Sequence, residues 1–162
     1  LDFALIALPY ATGTLHVEAL FDDALWIVGR HDDPSVRAKI VKLTPALIDR
    51  MLLLEEGHCL RDHALYACGK PIQQASVGIE ATSLLTLVQM VESGLGVGLV
   101  PEMAVRSGLT QSPALISRPM SQPAPKRTLA LVARQSTSRL ADMKALAAVI
   151  RQAIKQSGTD SG

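Results

Sequence analysis

"TSLLTLVQMVESGLGVGLVP" (82–101) is the stretch that decides the fold. Leu84, Leu87, Val88 and Val91 recur at spacings of three and four, the apolar stripe of an amphipathic helix. Gly94 stops that helix, as a residue free to adopt the left-handed C′ conformation does. "VGLVP" (97–101) then reads as a short buried strand closed by proline.

The same alternation continues outward. Upstream, "MLLLEE" (51–56) is a central strand, residues 60–68 fit one helix, and "ASVGIEA" (75–81) is a weaker strand with an internal glycine. "TPALIDR" (44–50) offers Thr44 as N-cap and Pro45 at the first helical position. "LHVEALF" (15–21) and "DALWIVGR" (23–30) read as two strands, and "HDDPSVRAK" as a loop turning at Pro34. "LDFALIAL" (1–8) is a further strand, ended by Pro9. Its continuous apolar run implies burial on both faces and neighbours upstream, so the chain is expected to be a fragment. Downstream, "ISRPMSQPAPKR" (116–127) is a proline-rich, extended connection between lobes. A strand, "RTLALVAR" (127–134), and an amphipathic helix, "RLADMKALAAVIRQAIKQ" (139–156), complete the chain. Strands separated by helices predict an α/β fold with mainly parallel pairing.

Composition narrows the function. The net charge is +1, and beyond "PKR" (125–127) there is no basic cluster, so this chain lacks the basic face of a nucleic-acid-binding module. Aromatics make up only 3%, too few for stacking on single-stranded bases. No apolar run is long enough to span a membrane, and no basic n-region precedes an apolar stretch. Two cysteines do not make a secreted disulfide framework. The expected compartment is the cytoplasm, with no membrane partner.

Both cysteines fall within "EEGHCLRDHALYACG" (55–69), with His58 and His63. Cys59 sits near a helix N-terminus, where unpaired N–H groups and the macrodipole favour an anion. His58 and Arg61 push the same way, so Cys59 is expected to ionise below the free-thiol value of about 8.5. Cys68, at the far end and before Gly69, has no such help. Nine residues of intact helix hold the two Cα atoms about 13 Å apart, whereas a disulfide needs about 4.4–6.8 Å. If the two bond, the helix between them must unwind. Three readings remain open on residue types alone: buried small hydrophobes, a zinc site from His58, Cys59, His63 and Cys68, or a redox pair. The spacing fits the zinc reading poorly. Arg61 and Asp62 read most simply as a solvated pair on the first turn, and His63 as a surface residue.

The hexapeptide G-H-C-L-R-D, Gly57 to Asp62, followed by Cys68 nine residues after Cys59, closely resembles the sensing segment of peroxide-responsive LysR-type transcriptional regulators. "ATSLLTLVQMVESGLGVGLVPEMAV" (81–105) resembles the helix–strand–proline segment of LysR-type effector domains, and "ALFDD" (19–23) the crossing into their second lobe. The resemblance runs to about residue 155. It implies a two-lobed, periplasmic-binding-protein-like regulatory domain with an incomplete first lobe. Residues 1–22 would end lobe one, 23–126 would form a redox-active lobe two, and 127–162 would return to lobe one.

The resemblance also implies roles. Cys59 would attack peroxide and become a sulfenic acid, and Cys68 would resolve it as a disulfide. His58, Arg61 and Asp62 would surround the reactive sulfur, and Arg127 would reach it from the lobe junction. Thr82 and Ser83 resemble effector-cleft positions of the wider family, and read equally well as a helix cap. No cofactor and no metal is implied, and no enzymatic turnover. The implied partners are hydrogen peroxide as signal, a second copy or a tetramer, and thioredoxin or glutaredoxin as reductant. Promoter DNA and RNA polymerase would be reached through a DNA-binding domain that this chain lacks. Two alternatives stand beside the sensor: a ligand-gated domain for a small organic anion, and a thiol peroxidase.

Overall fold

A computed structural model describes residues 1–56, 59–67 and 80–159, excluding the side chains of 59, 67 and 157–159. The chain divides into two compact units, Leu1–Asp22 with Arg127–Gly162, and Asp23–Lys126.

In the first unit, β1 (Phe3–Leu8) pairs antiparallel with β7 (Lys126–Ala133), Phe3 opposite Ala133 and Leu8 opposite Thr128. Helix α5 (Leu140–Thr159) covers this ribbon. Its buried Met143 and Ala147, with Leu140 and Ile150 beside them, stand three and four residues apart, which places them on one helix face. They pack on Leu20, Leu131 and Ala133. β1 is only half-buried, and Leu5 is 58% exposed, so burial of the strand on both faces is not observed.

The two strands expected over 15–21 and 23–30 are one, β2 (His16–Arg30), and it passes from the first unit into the second. Asp22 and Asp23 do not break it because each carboxylate has a partner. Asp22 accepts from the Thr128 hydroxyl at 2.7 Å, and buried Asp23 accepts from the Met103 amide at 3.1 Å.

The second unit holds β2's C-terminal half, β3 (Met51–Leu54), β4 (Glu80–Ala81), β5 (Val97–Pro101) and β6 (Leu115–Arg118). β3 runs parallel to both β4 and β5. β2 pairs antiparallel with β5 and with β6, so the pairing is mixed rather than mainly parallel. β6 lies partly inside the stretch expected to be a bare connection. The 75–79 portion of the expected weak strand lies outside the described residues. β3 and β5 are buried at every position, as continuous apolar runs require.

The helices follow their caps. Thr44 accepts from the Leu47 amide and starts α1 (Pro45–Ile48). Ser83, not Thr82, caps α3 (Leu84–Glu92), its hydroxyl accepting from the Thr86 amide at 3.1 Å. Gly94 takes φ +82° just after α3, as its stop position demands. A short α4 (Glu102–Arg106) follows β5 directly. Helix α2 (Cys59–Ala67) sits between β3 and β4 in sequence. Leu60, Ala64 and Leu65 of α2 join Leu52, Leu53, Leu54, Leu87 and Val97 in the core of this unit.

Candidate functional site at the start of helix α2

Fully apolar β3 stops at Leu54, and α2 opens on Cys59. The backbone of Cys59 thus stands where the free N–H groups and positive dipole end of the helix are concentrated. The side chain of Cys59, and all of His58 and Cys68, lie outside the described residues.

The face that α2 turns inward is unusual for a nine-residue helix. Leu60, Ala64 and Leu65 are buried with Arg61 and His63, while Asp62 and Tyr66 face solvent. Arg61 is 7% exposed. Its guanidinium donates to the Leu54 carbonyl at 2.8 Å and to the Glu80 carboxylate. Burying a guanidinium demands such partners. The solvated Arg61–Asp62 pair is therefore not observed, and His63 is a buried residue rather than a surface one. Asp62 remains in the first turn, where its charge suits the helix dipole.

Nothing local in the sequence singles out Glu80. It belongs to the weak strand before α3, nineteen residues from Arg61, and only the parallel pairing that sets it beside Leu53 brings it to the guanidinium. Arg127 is half-buried on β7 and belongs to the first unit, whereas α2 belongs to the second. Thr82 is exposed. The Ser83 hydroxyl, occupied by the Thr86 amide and 2.9 Å from the Thr86 hydroxyl, is accounted for as a cap.

A surface cleft of about 400 Å³ in the second unit is lined by Arg30, Asp32, Asp33, Ser35 and Arg50, with Gly94 and Gly96. It shares no residue with α2, and its charges neutralise one another. Arg30 pairs with Asp32 and donates to the Glu92 carbonyl at the end of α3. Arg50 pairs with Asp33 at 2.7 Å. Burial alone would raise the Asp33 carboxyl. The Arg50 guanidinium and the Ser35 hydroxyl and amide outweigh it and hold Asp33 at about 2. Among the described residues no group of three His, Cys, Asp or Glu is placed to hold a metal ion, and no helix is long and apolar enough to cross a membrane.

Residues 1–155 match the family described as "LysR substrate binding domain". The chain belongs to that family. Its mixed α/β architecture is that of the two-lobed LysR regulatory domain. The "HTH-type transcriptional regulator EstR" of Acinetobacter baylyi is 41% identical over 138 residues, covering 85% of this chain and 45% of that protein. A "Probable hydrogen peroxide-inducible genes activator" of Streptomyces viridosporus is 36% identical over 167 residues, covering 96% of this chain and 50% of the relative. The reduced OxyR regulatory domain of Pseudomonas aeruginosa superimposes with a TM-score of 0.78 at 36% identity, covering 94% of this chain and 73% of that structure. This LysR domain thus spans about half the length of the curated relatives it matches.

Proposed function

We propose that this LysR domain is the redox-sensing part of a transcriptional activator that detects hydrogen peroxide through Cys59 and Cys68. One observation carries the reading. The cysteine of the G-H-C-L-R-D hexapeptide opens a helix in a LysR domain, where the backbone favours a thiolate.

In the proposed chemistry the Cys59 thiolate attacks one peroxide oxygen, the O–O bond breaks, and hydroxide leaves. Cys59 becomes a sulfenic acid. The Cys68 thiol then attacks that sulfur, a disulfide forms and water leaves. The net change is two thiols and one peroxide to one disulfide and two waters. The helical separation of about 13 Å cannot accommodate the bond, so residues 60–67 unwind. Thioredoxin or glutaredoxin returns the pair to thiols. His58, Arg61, Asp62 and Arg127 set the surroundings of the sulfur. Residues 1–22 with 127–162 act as lobe one, and 23–126 as the redox-active lobe two. The regulator works in the cytoplasm as a dimer or tetramer, and reaches promoter DNA and RNA polymerase through a DNA-binding head on the same polypeptide.

The experiment is peroxide titration with mass mapping of the thiols in the parent, Cys59→Ser and Cys68→Ser proteins. The parent forms the intramolecular disulfide, Cys68→Ser stops at the sulfenic acid, and Cys59→Ser does not react at low peroxide. A Cys59→Ser protein that still responds refutes the reading.

A ligand-gated domain for a small organic anion is the second reading. It is favoured by one observation: the family that residues 1–155 match is described as a substrate binding domain. In that case the cysteine variants respond normally, and Thr82 and Ser83 control the response. A thiol peroxidase would instead consume peroxide catalytically with thioredoxin, which steady-state turnover tests.

A further inference from the structure

We infer that Glu80 is a positioning residue of the switch: with Arg61 it clamps the first turn of α2 to the ends of β3 and β4, and so sets the redox midpoint of the cysteine pair. The inference about the midpoint rests on the disulfide reading above; the clamp itself does not.

Three elements meet at one guanidinium. Arg61 lies on α2, two residues after Cys59. Its donors reach the last carbonyl of β3, at Leu54, and the carboxylate on the first residue of β4, at Glu80. The Arg61 side chain is 9% exposed and that of Glu80 33%. A charge so buried depends on its partners more than a surface pair does, because each one lost leaves less to offset its removal from water. The two strands it touches are themselves joined, Leu53 opposite Glu80 and the Glu55 amide donating to the Ala81 carbonyl at 3.0 Å. β4 is only two residues long, and Ser83, the cap of α3, comes two residues after it. The guanidinium therefore ties α2 to a short strand that leads straight into α3.

If α2 unwinds on oxidation, this clamp belongs to the dithiol form alone. Weakening it destabilises the dithiol form and leaves the disulfide form unchanged, so the midpoint becomes more reducing. Glutamine at 80 keeps an acceptor and the side-chain volume but loses the charge. Glu80 is partly exposed on an edge, so Glu80→Gln folds. The expected change is about tenfold in the equilibrium constant, which is about 30 mV for a two-electron couple.

The test equilibrates parent, Glu80→Gln and Glu80→Asp proteins against the dithiothreitol couple. The two protein thiols pass two electrons and two protons to oxidised dithiothreitol, forming the protein disulfide and the dithiothreitol dithiol. Hydrogen exchange of the reduced proteins is measured in parallel. We expect Glu80→Gln to be more reducing by about 30 mV, with α2 amides exchanging about tenfold faster. Glu80→Asp, which restores the charge, recovers most of both effects. An unmoved midpoint in Glu80→Gln overturns the inference while leaving the sensor intact. So does faster exchange spread evenly over β3 and β5, which marks plain structural damage. A parent that forms no Cys59–Cys68 disulfide sinks the sensor reading and the midpoint claim together; the exchange of α2 then reports on the clamp alone.

Discussion

Replacing Leu65 by alanine measures what it costs to open α2. Leu65 is 1% exposed and sits in the core of the second unit with Leu60 and Ala64 of the same helix. Truncating a fully buried leucine removes its transfer energy and leaves a cavity, together about 3 kcal/mol within a range of 2–5. In the reduced protein that loss appears in full, because α2 is folded there. In the disulfide form, if α2 has unwound, Leu65 is already out of the core and the substitution costs well under 1 kcal/mol. Two readouts follow. Urea unfolding, followed by the fluorescence of Trp26 on β2, shows a much larger loss for the reduced protein than for the oxidised one. The midpoint moves about 60 mV toward reducing, the equivalent of 3 kcal/mol in a two-electron couple. Equal destabilisation of both redox forms refutes the reasoning, since it means that α2 keeps its place when the cysteines bond.

Ser83→Ala removes the α3 cap and costs about 1 kcal/mol of stability, while Thr82→Ala, at an exposed position, changes stability little. Thermal unfolding checks both, and loss of an effector response at unchanged stability would contradict the cap assignment. Asp33 titrates at about 2 rather than the ordinary 3.8, so its contribution is complete above about pH 4 and is lost as pH falls toward 2. Solvent screening limits it to about 1 kcal/mol; Asp33→Asn flattens that part of a stability–pH curve, and an unchanged acid limb counts against the Arg50 pair. A methyl group at Gly96 would run into the Arg50 carbonyl oxygen, whereas one at Gly98 would press on the side chain of Leu87, with Val28 in ordinary contact beside it. Gly96→Ala is therefore expected to cost about 2 kcal/mol or more, above Gly98→Ala, in denaturant unfolding.

The elements whose signals are local were readable from the sequence. The stripe of α3, the glycine that ends it, the apolar runs of β3 and β5 and the Thr44 cap are each decided within a few residues. What escaped depended on distant partners. Asp22 and Asp23 look like a break in a strand, yet each is satisfied by a residue far along the chain, so β2 runs through. β6 hides beside prolines, and its hydrogen bonds come from β2. The order of strands and helices says nothing of direction, which is why antiparallel pairs at β2 went unforeseen. The candidate site divides the same way. Cys59 at a helix start follows from spacing, but the carboxylate that Arg61 reaches at Glu80 is brought to it by the pairing of β3 with β4.

The path of β2 also makes the first unit discontinuous in sequence, which bears on how it assembles. The first unit is discontinuous in the chain, because 104 residues of the second interrupt it between Asp22 and Arg127. Pairing β1 with β7 in an unfolded chain means closing a loop of that size and more, an entropic cost of about 4 kcal/mol before any contact is gained. The second unit removes most of that cost when it forms first, because its own entrance and exit lie side by side: the Leu25 amide donates to the Pro125 carbonyl at 2.8 Å. A contiguous insert that folds early and hands its two ends to the interrupted host makes long-range pairing fast despite its contact order. It also means that a lesion in the insert delays the host, which has no short route to its own sheet.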